Sequence, residues 1–121
     1  TPMRADLTAH DKLAELEARI SAAGRPVLVD YYADWCVACK DMERSTFADD
    51  RVRQRLAGWI LLQVDVTANS DDDKALLARF GLFGPPGIVF FDARGVEVPN
   101  VRVVGFQNAD AFLRTLALAA P

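Results

Sequence analysis

Both cysteines of the chain fall in one short stretch, Trp35-Cys36-Val37-Ala38-Cys39-Lys40, directly after an apolar, β-rich run from Val27 to Ala33. Such a run reads as a buried central strand. A helix is predicted to begin near Cys36 and continue toward Ser45. Cys36 then sits where strand hands over to helix, and Cys39 falls one turn later on the same side. At that spacing the two sulfurs can close a small disulfide ring. Cys36 also lies near the helix N-terminus, where unpaired N–H groups and the macrodipole favour a thiolate. The pattern predicts an exposed nucleophile at Cys36 and a sheltered resolving thiol at Cys39.

With both cysteines in one C-x-x-C, no thiol is left over for a structural bridge. A chain of 121 residues can bury a core without a staple. The pair is therefore explained by chemistry or by metal. Tetrahedral structural zinc needs four ligands, and beyond the pair the only histidine is His10. Zinc would require carboxylates or a dimer, so no metal site is expected and His10 reads as a surface residue. An inert buried pair fits poorly with a boundary flanked by Trp35 and Lys40.

The rest of the chain reads as alternating elements. Residues 1–7 are expected to be a frayed or weakly paired lead-in. Thr8 can cap a helix, with Asp11 at the capping-box position, Leu13, Leu16 and Ile20 as its stripe, and Gly24 and Pro26 stopping it. A short helix from about Asp50 to Leu56 precedes a strand, Ile60 to Val66. Ser70 or Asp71 can cap the next helix, which runs through Leu76 and Leu77 to Phe80 and closes at Gly81. Gly84-Pro85-Pro86-Gly87 interrupts the pattern before strand Ile88 to Phe91. Asp92 to Gly95 is a turn, Val101 to Val104 a further strand, and Asn108 caps a last helix ending near Ala119. Helical crossovers imply parallel pairing early, and the tight late connection implies an antiparallel hairpin. The fold class is α/β, a mixed central sheet with helices on both faces, in a single domain spanning residues 1–121.

Composition narrows the partners. The formal charge is −3 with basic residues scattered among acids, so neither nucleic acid nor an anionic membrane surface is expected to bind. Arg51, Arg53 and Arg55 read as a solvated helix face beside Asp49 and Asp50. No apolar stretch approaches the ~20 residues that span a bilayer. No signal segment opens the chain, which begins at Thr1 and so reads as processed or excised. Composition alone sets no compartment.

Four further residues draw attention on physical grounds. Asp30 lies inside an otherwise apolar run, where an unpaired charge is expensive, so a functional acid is favoured over a structural one. Glu43 is seven residues after Cys36 and shares its helix face, although a solvated surface glutamate is the plain alternative. Pro86 before a strand is compatible with a cis bond. Trp35 suits a lid over the cysteines, with simple packing as the alternative.

The segment Val27-Leu-Val-Asp-Tyr-Tyr-Ala-Asp-Trp-Cys-Val-Ala-Cys-Lys40 resembles the active-site strand and helix of thioredoxins. The dipeptide Val37-Ala38, the continuation Asp41 to Phe47, and Leu61 to Asn69 resemble more narrowly the C-terminal periplasmic domains of the DsbD family, transmembrane thiol:disulfide interchange proteins. The resemblance runs from about Leu13 to the end of the chain. It implies a thioredoxin-like fold, with Cys36 attacking and Cys39 resolving. It makes Asp30 the acid beneath the dithiol and Glu43 a second acid beside it. Pro86 corresponds to a cis-proline facing the disulfide, and Gly105 to a glycine that lets a partner's backbone approach. Trp35 and Pro85 would complete the substrate-binding residues.

Three positions depart from that pattern. Pro85 has no N–H where the family usually pairs both backbone groups with an incoming peptide. Gly87 replaces a threonine, and Gln63 stands where thioredoxins proper carry a lysine. The resemblance implies a protein-disulfide reductase domain in the periplasm, part of an inner-membrane protein. It would relay electrons from a membrane-embedded cysteine pair to an N-terminal periplasmic domain of the same protein, and indirectly to other thiol–disulfide proteins. No cofactor beyond the cysteine pair is implied, and the isolated domain is expected to be a monomer. A free-standing thioredoxin-like reductase and a non-catalytic metal-binding or interaction module are the alternatives. An oxidase is disfavoured because no histidine lies between the cysteines.

Overall fold

The computed structural model describes residues 3–7 and 12–119. Five strands, β1 (Met3–Leu7), β2 (Val27–Tyr32), β3 (Ile60–Asp65), β4 (Gly87–Phe91) and β5 (Val103–Val104), form one sheet in the order β1-β3-β2-β4-β5. The first three run parallel, while β4 is antiparallel to both β2 and β5. Helices α1 (Lys12–Ala22), α2 (Val37–Asp41), α3 (Asp50–Arg55), α4 (Asp71–Arg79) and α5 (Ala109–Ala119) connect and cover the strands. This is the expected mixed α/β sheet, including the parallel early pairs and the antiparallel late one. Among the described residues no helix is long and apolar enough to cross a membrane.

Residues alternate between the two faces of each strand, so β2 feeds two cores. Val27, Val29 and Tyr31 pack with Leu16 and Ile20 of α1 and Leu76 and Leu77 of α4, and Cys36 and Cys39 belong to this cluster. Leu28 faces the other way and joins Ile88, Phe90, Val52, Leu56, Phe112 and Leu116 under α3 and α5. The strand is buried on both sides because helices cover both, which is why it reads as a nearly continuous apolar run.

Local signals set most boundaries. Gly24 and Gly81 follow α1 and α4 in the left-handed conformation, at φ +64° and +70°. Ser70 caps α4 in a reciprocal capping box with Asp73, and Asn108 caps α5 through its side-chain oxygen on the Ala111 amide. Arg51, Arg53 and Arg55 do form an exposed face, with Val52 alone turned inward. Thr8, His10 and Asp11 lie outside the described residues.

The structure corrects three boundaries. Residues 3–7, expected to be a frayed or weakly paired lead-in, form a strand in register with β3 from Met3↔Ile60 to Leu7↔Val64. The open edge of β3 accepts that strand. The helix after Cys36 is α-helical only to Asp41, and Met42–Thr46 widens into a π-helical turn. There the Phe47 amide reaches back to the Met42 carbonyl. Thr46, fully buried, donates its hydroxyl to the Gln107 carbonyl at 2.5 Å, and Ser45 donates to the Asp41 carbonyl at 2.7 Å. These side-chain bonds supply what an α-helical ladder would have supplied. The last strand is reduced to Val103–Val104, because Asn100 turns the chain at φ +65° just before it.

Candidate active site

The end of β2 delivers the dithiol. Its chain continues through Ala33, whose carbonyl accepts the Cys36 amide at 3.0 Å. Cys36 is the N-cap of α2 in extended conformation, and its Sγ accepts the Cys39 amide at 3.1 Å. A sulfur in that position is stabilised as an anion by the same N–H. Cys36 and Cys39 are joined as a disulfide with Cα atoms 5.3 Å apart. The Cys39 Sγ lies 4.0 Å from the Tyr31 carbonyl.

Exposure differs from the expectation. Cys36 is 6 % and Cys39 4 % exposed, so in the disulfide form both are buried rather than one presented. The ring is drawn against the helix start, and the flanking Trp35 and Val37 carry the surface at 57 % and 70 %. The Trp35 indole donates to the Thr67 carbonyl at 2.9 Å, and the Thr67 hydroxyl accepts the Asp34 amide at 2.9 Å. Asp65 in turn accepts the Thr67 amide at 2.8 Å and its hydroxyl. The segment after β3 thus clasps the approach to Cys36. Sequence reasoning missed this role of Thr67 and Asp65, and only their place at the end of a strand parallel to β2 hints at it.

Asp30 and Glu43 share a neighbour in Gln63. Asp30 is half-buried on β2, in register with Gln63 of β3 and Ile88 of β4. Glu43 is half-buried on the π-helical turn, and Gln63 donates its amide to the Glu43 carboxylate at 3.2 Å. Gln63 is itself 8 % exposed. The glutamine found in place of a lysine therefore bridges the Asp30 register position and Glu43 without adding positive charge. Tyr32 donates to the Asp34 carboxylate at 2.8 Å, which pushes its hydroxyl pKa up to about 12. Burial pushes the Tyr31 hydroxyl up as well.

On the other side of β2, antiparallel pairing sets Gly87 opposite Tyr31 and so places Pro86 beside the strand end that leads to Cys36. The Pro85-Pro86 bond is cis, with Pro86 buried and Pro85 half-buried. Gly105, at φ +86°, donates its amide to the Pro86 carbonyl at 3.0 Å. A Cβ at 105 would meet nothing within 4 Å, so the backbone conformation is what selects glycine there. A Cβ at Gly87 would stand 3.1 Å from Leu82 Cδ1, so Leu82 occupies the space a threonine would need.

Leu82, Phe83, Pro85, Pro86, Val104 and Gly105 line a groove of about 480 Å³. Phe83 and Val104 are exposed, Phe83 completely, and Phe106 nearby is half exposed. These apolar surfaces escaped the sequence reading. The available signal was an aromatic side chain isolated between Gly81 and Gly84, with no periodicity to bury it. Trp35 and Val37 expose further apolar surface on either side of Cys36, and such surfaces suit another protein better than a small polar ligand. Among the described residues no three of His, Cys, Asp and Glu converge as a metal site would require.

The sequence profile of the thioredoxin-like family matches residues 8–93. Thiol:disulfide interchange protein DsbD of Ralstonia nicotianae is 62 % identical over 99 residues, covering 82 % of this chain and 16 % of that protein. Its counterpart in Yersinia enterocolitica is 52 % identical over 105 residues, covering 86 % and 18 %. The chain thus spans less than a fifth of the length of these curated relatives. Among solved structures, the reduced C-terminal domain of Neisseria meningitidis DsbD superposes with TM-score 0.75 and 36 % identity, over 88 % of this chain and 96 % of that one. Its oxidised form gives 0.73 and 32 % over 98 % and 99 %. A thioredoxin from Thermus thermophilus shares the fold at TM-score 0.72 and 24 % identity, over 96 % and 85 %.

Proposed function

The chain belongs to the thioredoxin-like family, among the C-terminal domains of DsbD, and from that membership we propose that it relays electron pairs between protein partners by dithiol–disulfide exchange. It is a thiol–disulfide oxidoreductase domain, periplasmic and part of an inner-membrane protein, and residues 1–121 act as one unit. The observation that carries the reading is the Cys36–Cys39 disulfide at a helix start, with Trp35 and Val37 exposed on either side of Cys36.

In the reduced domain, the Cys36 thiolate attacks one sulfur of a partner disulfide. A Cys36–partner disulfide forms and the partner's other sulfur leaves as thiolate. The Cys39 thiolate then attacks Cys36 Sγ, restoring the Cys36–Cys39 disulfide and expelling the partner's second thiolate. Two electrons have passed to the partner. The reverse exchange with a membrane-embedded cysteine pair reloads the domain, and an N-terminal periplasmic domain of the same protein is the acceptor. Asp30 and Glu43 act on this cycle through charge, opposing thiolate formation at Cys36 until a partner docks. Trp35, Pro85, Pro86 and Gly105 form the docking frame.

Trapping tests the reading. Cys39→Ser removes the resolving thiol, so Cys36 should remain in a mixed disulfide with its partner in cells carrying the full-length protein, released by dithiothreitol. Cys36→Ser/Cys39→Ser should capture nothing. Failure of Cys39→Ser to form any mixed disulfide would overturn the relay.

A further inference from the structure

We infer that Arg102, held by Glu97, is a positioning residue for partner docking, because it fixes the root of the loop that carries Phe83, Pro85 and Pro86. The inference rests on the exchange function proposed above. The loop from Gly81 to Pro86 has no regular structure, and its tip residue Phe83 is fully exposed with no apolar support. Leu82 anchors it in the core, and residues 102–105 clip it at both ends. At the far end Gly105 donates to the Pro86 carbonyl at 3.0 Å. At the near end Arg102 Nη1 donates to the carbonyl of Phe80, the C-cap of α4.

The near clip is rigid by construction. Arg102 Nε and Nη2 grip both carboxylate oxygens of Glu97 at 2.7 and 2.9 Å, which fixes the plane of the guanidinium while leaving Nη1 for Phe80. Gly81 lets that plane lie flush, since a Cβ there would come within 3.3 Å of Nη1. The helix end itself does not need the arginine. The Leu82 amide already reaches the Leu77 carbonyl at 2.9 Å and the Gly81 amide the Ala78 carbonyl at 3.0 Å, a complete Schellman closure. The Arg102–Glu97 pair is also about one-third exposed on each side, where an ion pair adds little stability. What Arg102 adds to that closure is a tie between the start of the loop and the segment that carries Gly105, the two sides of the groove.

The test separates docking from chemistry by using one thiol in two sizes. The oxidised domain is treated with N-acetylcysteine amide, or with a cysteine peptide long enough to lie along the groove, and Cys36 mixed disulfide is followed by mass after acid quench. In wild type the peptide should react faster. In Arg102→Leu the peptide rate should fall about fivefold, as expected for the loss of one to two hydrogen bonds' worth of positioning. The small-thiol rate and the reduction potential should stay within error. Arg102→Lys should recover part of the peptide rate, and Glu97→Gln, which loosens but keeps the arginine, should show the same split more weakly. An unchanged peptide rate, or a parallel fall for both thiols, overturns the inference, as does a wild type with no preference for the peptide. A wild type inert to both thiols would instead remove the exchange function on which it rests.

Discussion

Replacing Glu43 by glutamine removes one negative charge and little else. The Gln63 amide that donates to Glu43 at 3.2 Å can donate equally to a glutamine carbonyl, so the local geometry should survive. Glu43 follows Cys36 by seven residues, through α2 and into the π-helical turn, so a rise of about 1.5 Å per residue sets their backbones about 10 Å apart, taken here as the scale of the charge-to-sulfur separation. At an effective dielectric of about 20–40, suited to a half-buried group, that repulsion is worth about 0.8–1.7 kcal/mol. The apparent Cys36 pKa should therefore fall by about 0.6–1.2 units in Glu43→Gln. Below the thiol pKa the thiolate fraction rises by that power of ten, and the accompanying loss of nucleophilicity takes back roughly half the exponent. Iodoacetamide should then alkylate the reduced variant about two- to fourfold faster at neutral pH. The reduction potential follows the thiolate. It should be nearly unchanged at pH values below both apparent pKa values, and shift by about 20–35 mV toward a stronger oxidant above them. Asp30→Asn should move the apparent Cys36 pKa in the same direction. An alkylation rate that stays level or falls, with the fold intact, would refute the electrostatic argument.

Three further perturbations have signed outcomes. Asp34→Asn should bring the Tyr32 pKa down from about 12 toward 10.0. Because the folded value is the raised one, the stabilisation from this bond is complete below the ordinary tyrosine pKa and is lost as pH rises through about 12, so wild type should show no tyrosinate absorbance near pH 10 and the variant should. Thr46→Val leaves the Gln107 carbonyl without its buried donor and should cost about 1–3 kcal/mol in urea unfolding, with Thr46→Ser recovering most of it. Pro85→Leu supplies the missing N–H at the groove and should tighten binding of a trapped partner peptide by about 0.5–1.5 kcal/mol by calorimetry; equal or weaker binding would exclude that backbone pose.

Much of this was readable along the chain, for a physical reason. Helix starts and stops are encoded by near neighbours, so Ser70 with Asp73, Asn108 with Ala111, and the glycines at 24 and 81 announced their roles. Likewise Cys36 and Cys39, one helical turn apart, carry their chemistry in their own spacing. The π-helical turn after Asp41 was not readable, because Thr46 takes its partner from Gln107, 61 residues away. Nor was the clasp on Trp35, whose acceptor on Thr67 is 32 residues distant, or the Gln63 bridge to Glu43, 20 residues distant. The pairing of Met3–Leu7 depended on a free edge of β3, and the burial of Cys36 on how the disulfide ring packs against its own helix. Residue types and local spacing determined which chemistry the chain can perform and where its elements begin and end. Sheet register, by setting β2 between β3 and β4, and the packing of helices and loops against that sheet decided which distant side chains meet around the dithiol, since those meetings are contacts that no local pattern encodes.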